Sequence, residues 1–223
     1  MTVEEYFGDW AKVINLKEAD RILRELSASN QTICPQIKDV FKAFTLCPFN
    51  DLRVVIIGDA PYSQKGVATG LAFANRKDTP EDSISPSLEI LRESIIDNTV
   101  LHGTINFDLS LEEWAKQGVL LINSALTCEA GKSFSHISLW RLFMMNFLSN
   151  LQKYHTGIVY VLLGDEAREL DFCIKQHFNK VIKGASPFHY LRNGTGMLSY
   201  IWEEINHALI DKNGYGIDWY QEY

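Results

Sequence analysis

Four short runs of this 223-residue chain, at 54–57, 119–122, 158–163 and 181–183, are rich in β-forming apolar residues. Three of them are nearly continuous in Val, Ile, Leu or Tyr. A strand with one face in water alternates apolar and polar side chains, whereas an unbroken apolar run fits a strand covered on both faces, as in a parallel sheet. The segments between the runs have helical spacing. Leu16, Ala19, Ile22, Leu23 and Leu26 predict an amphipathic helix over 16–28. Pro86, followed by Leu88, Leu91 and Ile95, opens a second, with the proline near its first turn. A long, heavily apolar helix is predicted over 138–152 and a last one over 197–210. Strands alternating with helices predict an α/β fold of three layers, α/β/α, around a four-stranded, mainly parallel sheet. No internal repeat and no linker rich in Pro, Gly or Ser divides the chain, so one domain spanning 1–223 is expected.

The residues just beyond each strand supply the second constraint. Gly58-Asp59-Ala60-Pro61-Tyr62 comes after the first run, Asn123-Ser124 after the second and Gly164-Asp165 after the third. The fourth leads into Gly184-Ala185-Ser186-Pro187-Phe188-His189, read as a loop. In an open parallel sheet these segments gather at the carboxyl edge, where ligands bind. Polar and Gly/Pro residues from four distant segments should therefore meet.

Composition excludes several classes. The formal charge of −7 argues against broad electrostatic capture of nucleic acid, but not against a local basic face built from Lys132, His136, Lys183, His189 and Arg192. The cysteines, at 34, 47, 128 and 173, have no Cys-x-x-Cys spacing, so they read as reduced thiols rather than a zinc ribbon or redox pair. His102, His155 and His177 have no motif partners. There is no metal-ligand cluster and no Gly-x-Ser-x-Gly elbow, so neither metal nor cofactor is expected. No apolar run approaches membrane-spanning length, and the first residues lack a signal-peptide pattern. A cytoplasmic monomer without a membrane partner is the expectation.

The loop after the first strand resembles the water-activating loop of family 1 uracil-DNA glycosylases, Gly-Gln-Asp-Pro-Tyr-His. Asp59 stands where that family has Gln, Ala60 where it has its catalytic Asp, and Ser63 where it has His. The resemblance runs from about Cys34 to Trp219. It includes Lys38-Asp39-Val40-Phe41-x-Ala43-Phe44, then Leu111-Glu112-x-Trp114-Ala115-x-Gln117-Gly118 leading into Val119–Asn123, and Ala130-Gly131-x-x-x-Ser135-His136 and Ile217-Asp218-Trp219. It implies a DNA partner and a flipped base. Phe73 matches the aromatic residue on which the base stacks, Asn123 the amide that reads the base edge, and Tyr62 the wall that excludes thymine. An amide can donate to a carbonyl and accept from a ring N–H, which suits a pyrimidine. Ser85, Pro86 and Ser87 resemble a loop that pinches the DNA backbone, and Ser133 lies in another, with Lys132 beside it. Ser186 matches the Ser-Pro of the family's His-Pro-Ser-Pro-Leu loop. Phe188 then replaces the wedging Leu, Gly184 falls at the His, and Arg192 is placed for a phosphate contact.

The departures fall on the chemistry. Losing a positioned electrostatic group typically costs about 10²–10³ in rate. Gly58-Asp59-Ala60-Pro61 is, however, similar to the Gly-Glu-Ala-Pro of family 4 glycosylases. Asp59 is therefore the candidate that holds water or stabilises the sugar cation, and His189 the candidate donor. Small residues at Ala60, Ser63 and Gly184 suggest a pocket enlarged for a modified pyrimidine, of the kind found in viral DNA, rather than plain uracil. The alternative is a catalytically silent relative that binds DNA or another protein. For Asp59 the competing role is a turn or helix cap.

Overall fold

The computed structural model describes residues 3–96, 105–193 and 200–222. All four strands form, to within one residue of the expected ends: β1 Val54–Gly58, β2 Val119–Asn123, β3 Val159–Leu163 and β4 Lys180–Gly184. They make a parallel sheet in the order β2-β1-β3-β4. Every residue of β1, β2 and β3 is buried, which is why those runs carry no polar alternation. β4 is an edge strand and only partly covered; its lysines, Lys180 and Lys183, discourage further strand pairing.

Helices cover both faces of the sheet. The longer ones are α1 Leu16–Ala28, α2 Pro86–Ile96 and α3 Ile137–Leu151. They are followed by the short α4 Asp165–Arg168, by α5 Pro187–Asn193 and by α6 Tyr200–Asn213. The Asn15 side chain caps α1 by accepting the Glu18 N–H at 3.2 Å, and the helix buries Ala19, Ile22 and Leu26 against its neighbours. α1 packs on α3, whose Phe143 and Phe147 join Trp10, Phe41 and Phe44 in an aromatic group. Two of these pairs meet edge to face, as their quadrupoles favour: Trp10 and Phe44 at 5.3 Å, and Phe44 and Phe147 at 5.4 Å. On the other side α2 packs on α5, and α6 on β3 and β4. The Trp202 indole N–H donates to Ser94 Oγ at 2.8 Å, tying α6 to α2.

The segment after β4 departs from the sequence reading. Residues 184–189 are not a loop throughout, because α5 begins at Pro187. The missing proline N–H is no loss in a first helical turn, and the Ser186 carbonyl accepts the His189 N–H at 2.8 Å. Gly194, Thr195 and Gly196, expected as a turn, lie outside the described residues, as does His102. Several pieces were too short for periodicity to show: the helices Lys42–Leu46 and Glu112–Lys116, and the ribbon of Ile33–Cys34 with Cys128–Glu129. The cysteines are unpaired, with Cys34, Cys47 and Cys128 buried. Among the described residues no helix is long and apolar enough to cross a membrane.

The strand order places the site. From β1 the chain first goes to β2 on one side, then crosses to β3 on the other. The carboxyl ends of the strands therefore diverge at β1, and a crevice opens there.

Candidate active site

Parallel register sets Gly58, the last residue of β1, beside Asn123, the last residue of β2. The Ser124 N–H and hydroxyl both donate to the Gly58 carbonyl, at 2.8 and 3.2 Å, and hold the two strand ends together. Phe73 comes over the same spot from the segment after the first loop. A methyl group on Gly58 would lie 2.6 Å from Asn123 Oδ1 and 2.8 Å from Phe73 Cζ, so both side chains converge on the space that glycine leaves empty. Aromatic plate and amide thus face one another across the end of β1.

Phe73 has a φ of +66°, in the left-handed region that a side chain disfavours. Two hydrogen bonds hold the segment there: the Ala72 N–H to the Leu121 carbonyl at 3.2 Å, and the Tyr62 hydroxyl to the Phe73 carbonyl at 2.7 Å. Burial of that hydroxyl pushes the Tyr62 pKa up. Asn123 is 7 % exposed, yet its side-chain amide makes no hydrogen bond among the described residues. Its polar atoms stay open to the cleft, where they can meet a polar partner.

The cleft above it has a volume of about 560 Å³. Tyr62, Phe73 and Asn123, the expected base-binding residues, all border it, as do Ser85, Pro86 and Ser87. Asn75 fixes that last segment: its side-chain N–H donates to Ser85 Oγ and its oxygen accepts the Ser85 N–H, both at 2.7 Å. Ser133, Ser186, Phe188, His189 and Arg192 line the cleft as well. Lys132 does not border the cleft, and its ammonium is 2.9 Å from the Glu129 carboxylate.

Asp59 and Ala60 also border the cleft, but the Asp59 carboxylate is turned toward the start of α4. Its Oδ1 accepts the Ala167 N–H at 3.1 Å, across 108 residues of sequence. Gly164 makes room for it, because a methyl there would overlap the carboxylate. Burial holds the Asp59 carboxyl above the ordinary range; the Ala167 and Glu166 amides pull it down, and the Asp165 and Glu166 charges push it up further. The folded chain therefore keeps this proton better than the unfolded chain. Stability attributable to Asp59 should fall as pH rises from the ordinary carboxylate range through the raised value. Asp59→Asn removes that slope. In urea titrations at a series of pH values, the variant should gain on wild type as pH rises toward neutrality; parallel profiles would show that Asp59 titrates normally.

The basic face expected from the sequence is largely dissolved by the fold. Lys132 pairs with Glu129 and Lys183 with Asp171. His136 is 7 % exposed; the Trp140 indole donates to Thr127 Oγ1 at 2.7 Å, and that hydroxyl shares a hydrogen bond with His136 Nδ1 at 3.0 Å. Burial lowers the His136 pKa and favours the neutral ring. His155 is likewise held down by burial, and His177 packs on Phe178. His189 is exposed, with Nε2 2.7 Å from Asn193 Nδ2 one turn along α5. Arg192 makes no ion pair among the described residues.

Gly184 requires a correction. A methyl on it would point at Leu163 Cδ2, 2.9 Å away, and Ile201 Cδ1, into the core and not into the cleft. Bulk missing at Gly184 opens no space for a base. Sequence reasoning also missed Phe134, which borders the cleft with an exposed ring. It falls in the unassigned middle of the Ala130–His136 motif, and an exposed aromatic beside small polar residues was the available signal.

A family model described as the uracil DNA glycosylase superfamily matches residues 44–209. The uracil-DNA glycosylase of Escherichia coli (strain K12) is 39% identical over 160 residues, 71% of this chain and 68% of that protein. The protein of the same name from Shigella flexneri serotype 5b (strain 8401) matches to the same extent, at 39% over 160 residues. The crystal structure of mimivirus uracil-DNA glycosylase superposes with a TM-score of 0.74 at 20% identity, covering 98% of this chain and 93% of that one.

Proposed function

The chain belongs to the uracil DNA glycosylase superfamily, and from that membership and the cleft we infer a DNA glycosylase that extrudes one nucleotide and hydrolyses its N-glycosidic bond. The carrying observation is the unpaired Asn123 amide facing Phe73 across Gly58. A flat base sliding over the phenyl ring presents its polar edge to that amide, which donates to a carbonyl and accepts from a ring N–H. Burial of the base on both sides offsets the unstacking it leaves behind.

For the chemistry, Asp59 is the acidic group of the first loop that borders the cleft. Two backbone amides occupy part of its carboxylate, and an ionised carboxylate has about four acceptor sites, so sites remain for a water. Its raised pKa brings it closer to the range in which a carboxylate is an effective base. Its negative charge, in a partly desolvated site, stabilises a cationic sugar. The side chains of Ala60 and Ser63 are small and border the cleft, leaving room that larger residues would fill. A pyrimidine bearing a substituent, of the kind that marks viral DNA, is the substrate this room favours, and its excision would serve defence. The Tyr62 hydroxyl, held by Phe73, sets a fixed wall against which such a substituent cannot lie.

A second reading draws on the same Asp59 geometry. If the carboxylate serves only to cap α4, the protein binds DNA and releases nothing. One experiment separates them: strands carrying uracil or a series of modified pyrimidines, incubated with wild type and Asp59→Asn and assayed for abasic sites. Base release by wild type, slowed about 10²-fold or more in the variant, is expected. Binding without any abasic product at high enzyme selects the silent module.

A further inference from the structure

Resting on the glycosylase reading, we propose that Phe134 is a second stacking surface of the cleft, receiving an unpaired base next to the extruded one. Among the large apolar side chains exposed on the described residues, Phe134 and Phe188 are the two that border the cleft. Phe134 is 52 % exposed and Phe188 53 %. They arrive from opposite margins of the sheet: Phe134 lies beyond β2, Phe188 beyond β4, and these are the outer strands. A strand crossing the cleft meets one ring on each side of the pocket.

Single exposed apolar residues are ordinary on a surface, and exposure alone would say little. Phe134 differs because its backbone is held. Its φ is +67°, a conformation that a residue with a side chain disfavours. The loop carrying it is fastened to the first-strand loop of the pocket: the Gly131 N–H donates to the Ser63 carbonyl at 2.8 Å, and Ser133 Oγ to Ser63 Oγ at 3.1 Å. Behind it, Ser135 Oγ accepts the Glu129 N–H at 2.8 Å. The ring is therefore presented at a set place relative to the base pocket.

The charges around the cleft give such a surface a purpose. Lys132, Arg168 and Lys183 are each ion-paired, and Arg141 is shared between Glu166 and Glu169. Arg192 borders the cleft without an ion pair among the described residues. Lys65, next to the cleft-lining Gln64, is also exposed; with a formal charge of −7 overall, electrostatics supplies only part of the grip on a strand. Stacking of bases on aromatic rings supplies the rest without regard to sequence.

The test is fluorescence anisotropy of a short labelled oligothymidylate strand, titrated with the full chain as wild type, Phe134→Ala and Phe134→Trp. This probe needs no bond cleavage, so its outcome is separate from that of the base-release assay. Phe134→Ala should weaken binding about fivefold or more, and Phe134→Trp should restore it. The dependence of affinity on salt should be shallow and the same in wild type and Phe134→Ala, because no phosphate contact is lost. Thermal melts confirm that both variants fold. Binding by Phe134→Ala within twofold of wild type, or no binding by wild type, overturns the proposal. Absence of base release alongside a weakened Phe134→Ala sinks the glycosylase reading and leaves the stacking surface standing.

Discussion

Asn123→Leu is expected to lower the rate of base release by about 10²–10³ while leaving the melting temperature nearly unchanged. The two halves of this result have one cause. The Asn123 amide opens on the cleft and bonds to nothing else among the described residues, so little of the fold's stability rests on it and its use comes when a ligand arrives. A leucine keeps the branched shape at this position and leaves the strand pairing of Asn123 with Gly58 in place. It removes the donor and acceptor that meet the base. Single-turnover release on the best substrate, together with thermal melts, reads both quantities. If the rate and the stability fall together, Asn123 is a packing residue and the base-reading role is lost.

Gly164→Ala is expected to destabilise the fold by about 2–6 kcal/mol and to disturb the Asp59 carboxylate directly. Gly164 has a φ of +123°, where a side chain brings backbone strain of about 1–3 kcal/mol. The added methyl would also occupy the place of the Asp59 carboxyl group, an overpacking that typically costs about 1–3 kcal/mol more. The melting temperature should drop by roughly 10 °C in a chain of this size. The double variant Gly164→Ala with Asp59→Ala should recover the overpacking part and keep the strain, because the clash is with a side chain and the strain is in the backbone. Full additivity of the two changes in urea melts would show that Asp59 does not sit on Gly164.

Much of this fold is local in origin. The runs that became β1 to β4 announce themselves by unbroken apolar composition, and the helices over 16–28 and 138–152 by spacing, because both signals lie within a few turns of chain. Asn123 meets Gly58 by parallel pairing, since strand ends in register bring their last residues side by side, whereas Phe73 is brought there by the hydrogen bonds of its own segment. Phe73, Tyr62 and Asn123 were singled out by the family resemblance, and the fold brings all three to one cleft.

Where side chains point, and which charges cancel, is another matter. Asp59 takes its direction from an amide 108 residues away, and Gly184 faces Leu163 and Ile201 because of how α6 lies on the sheet. Lys183 and Arg141 lose their free charge to carboxylates on other elements, which no count of basic residues reveals. The chain's own order of residues was sufficient for the sheet, and its likeness to a known family pointed to Tyr62, Phe73 and Asn123. Only the folded arrangement decided the electrostatics of the rim, because charges and rotamers answer to whatever distant group the packing brings within a few ångströms.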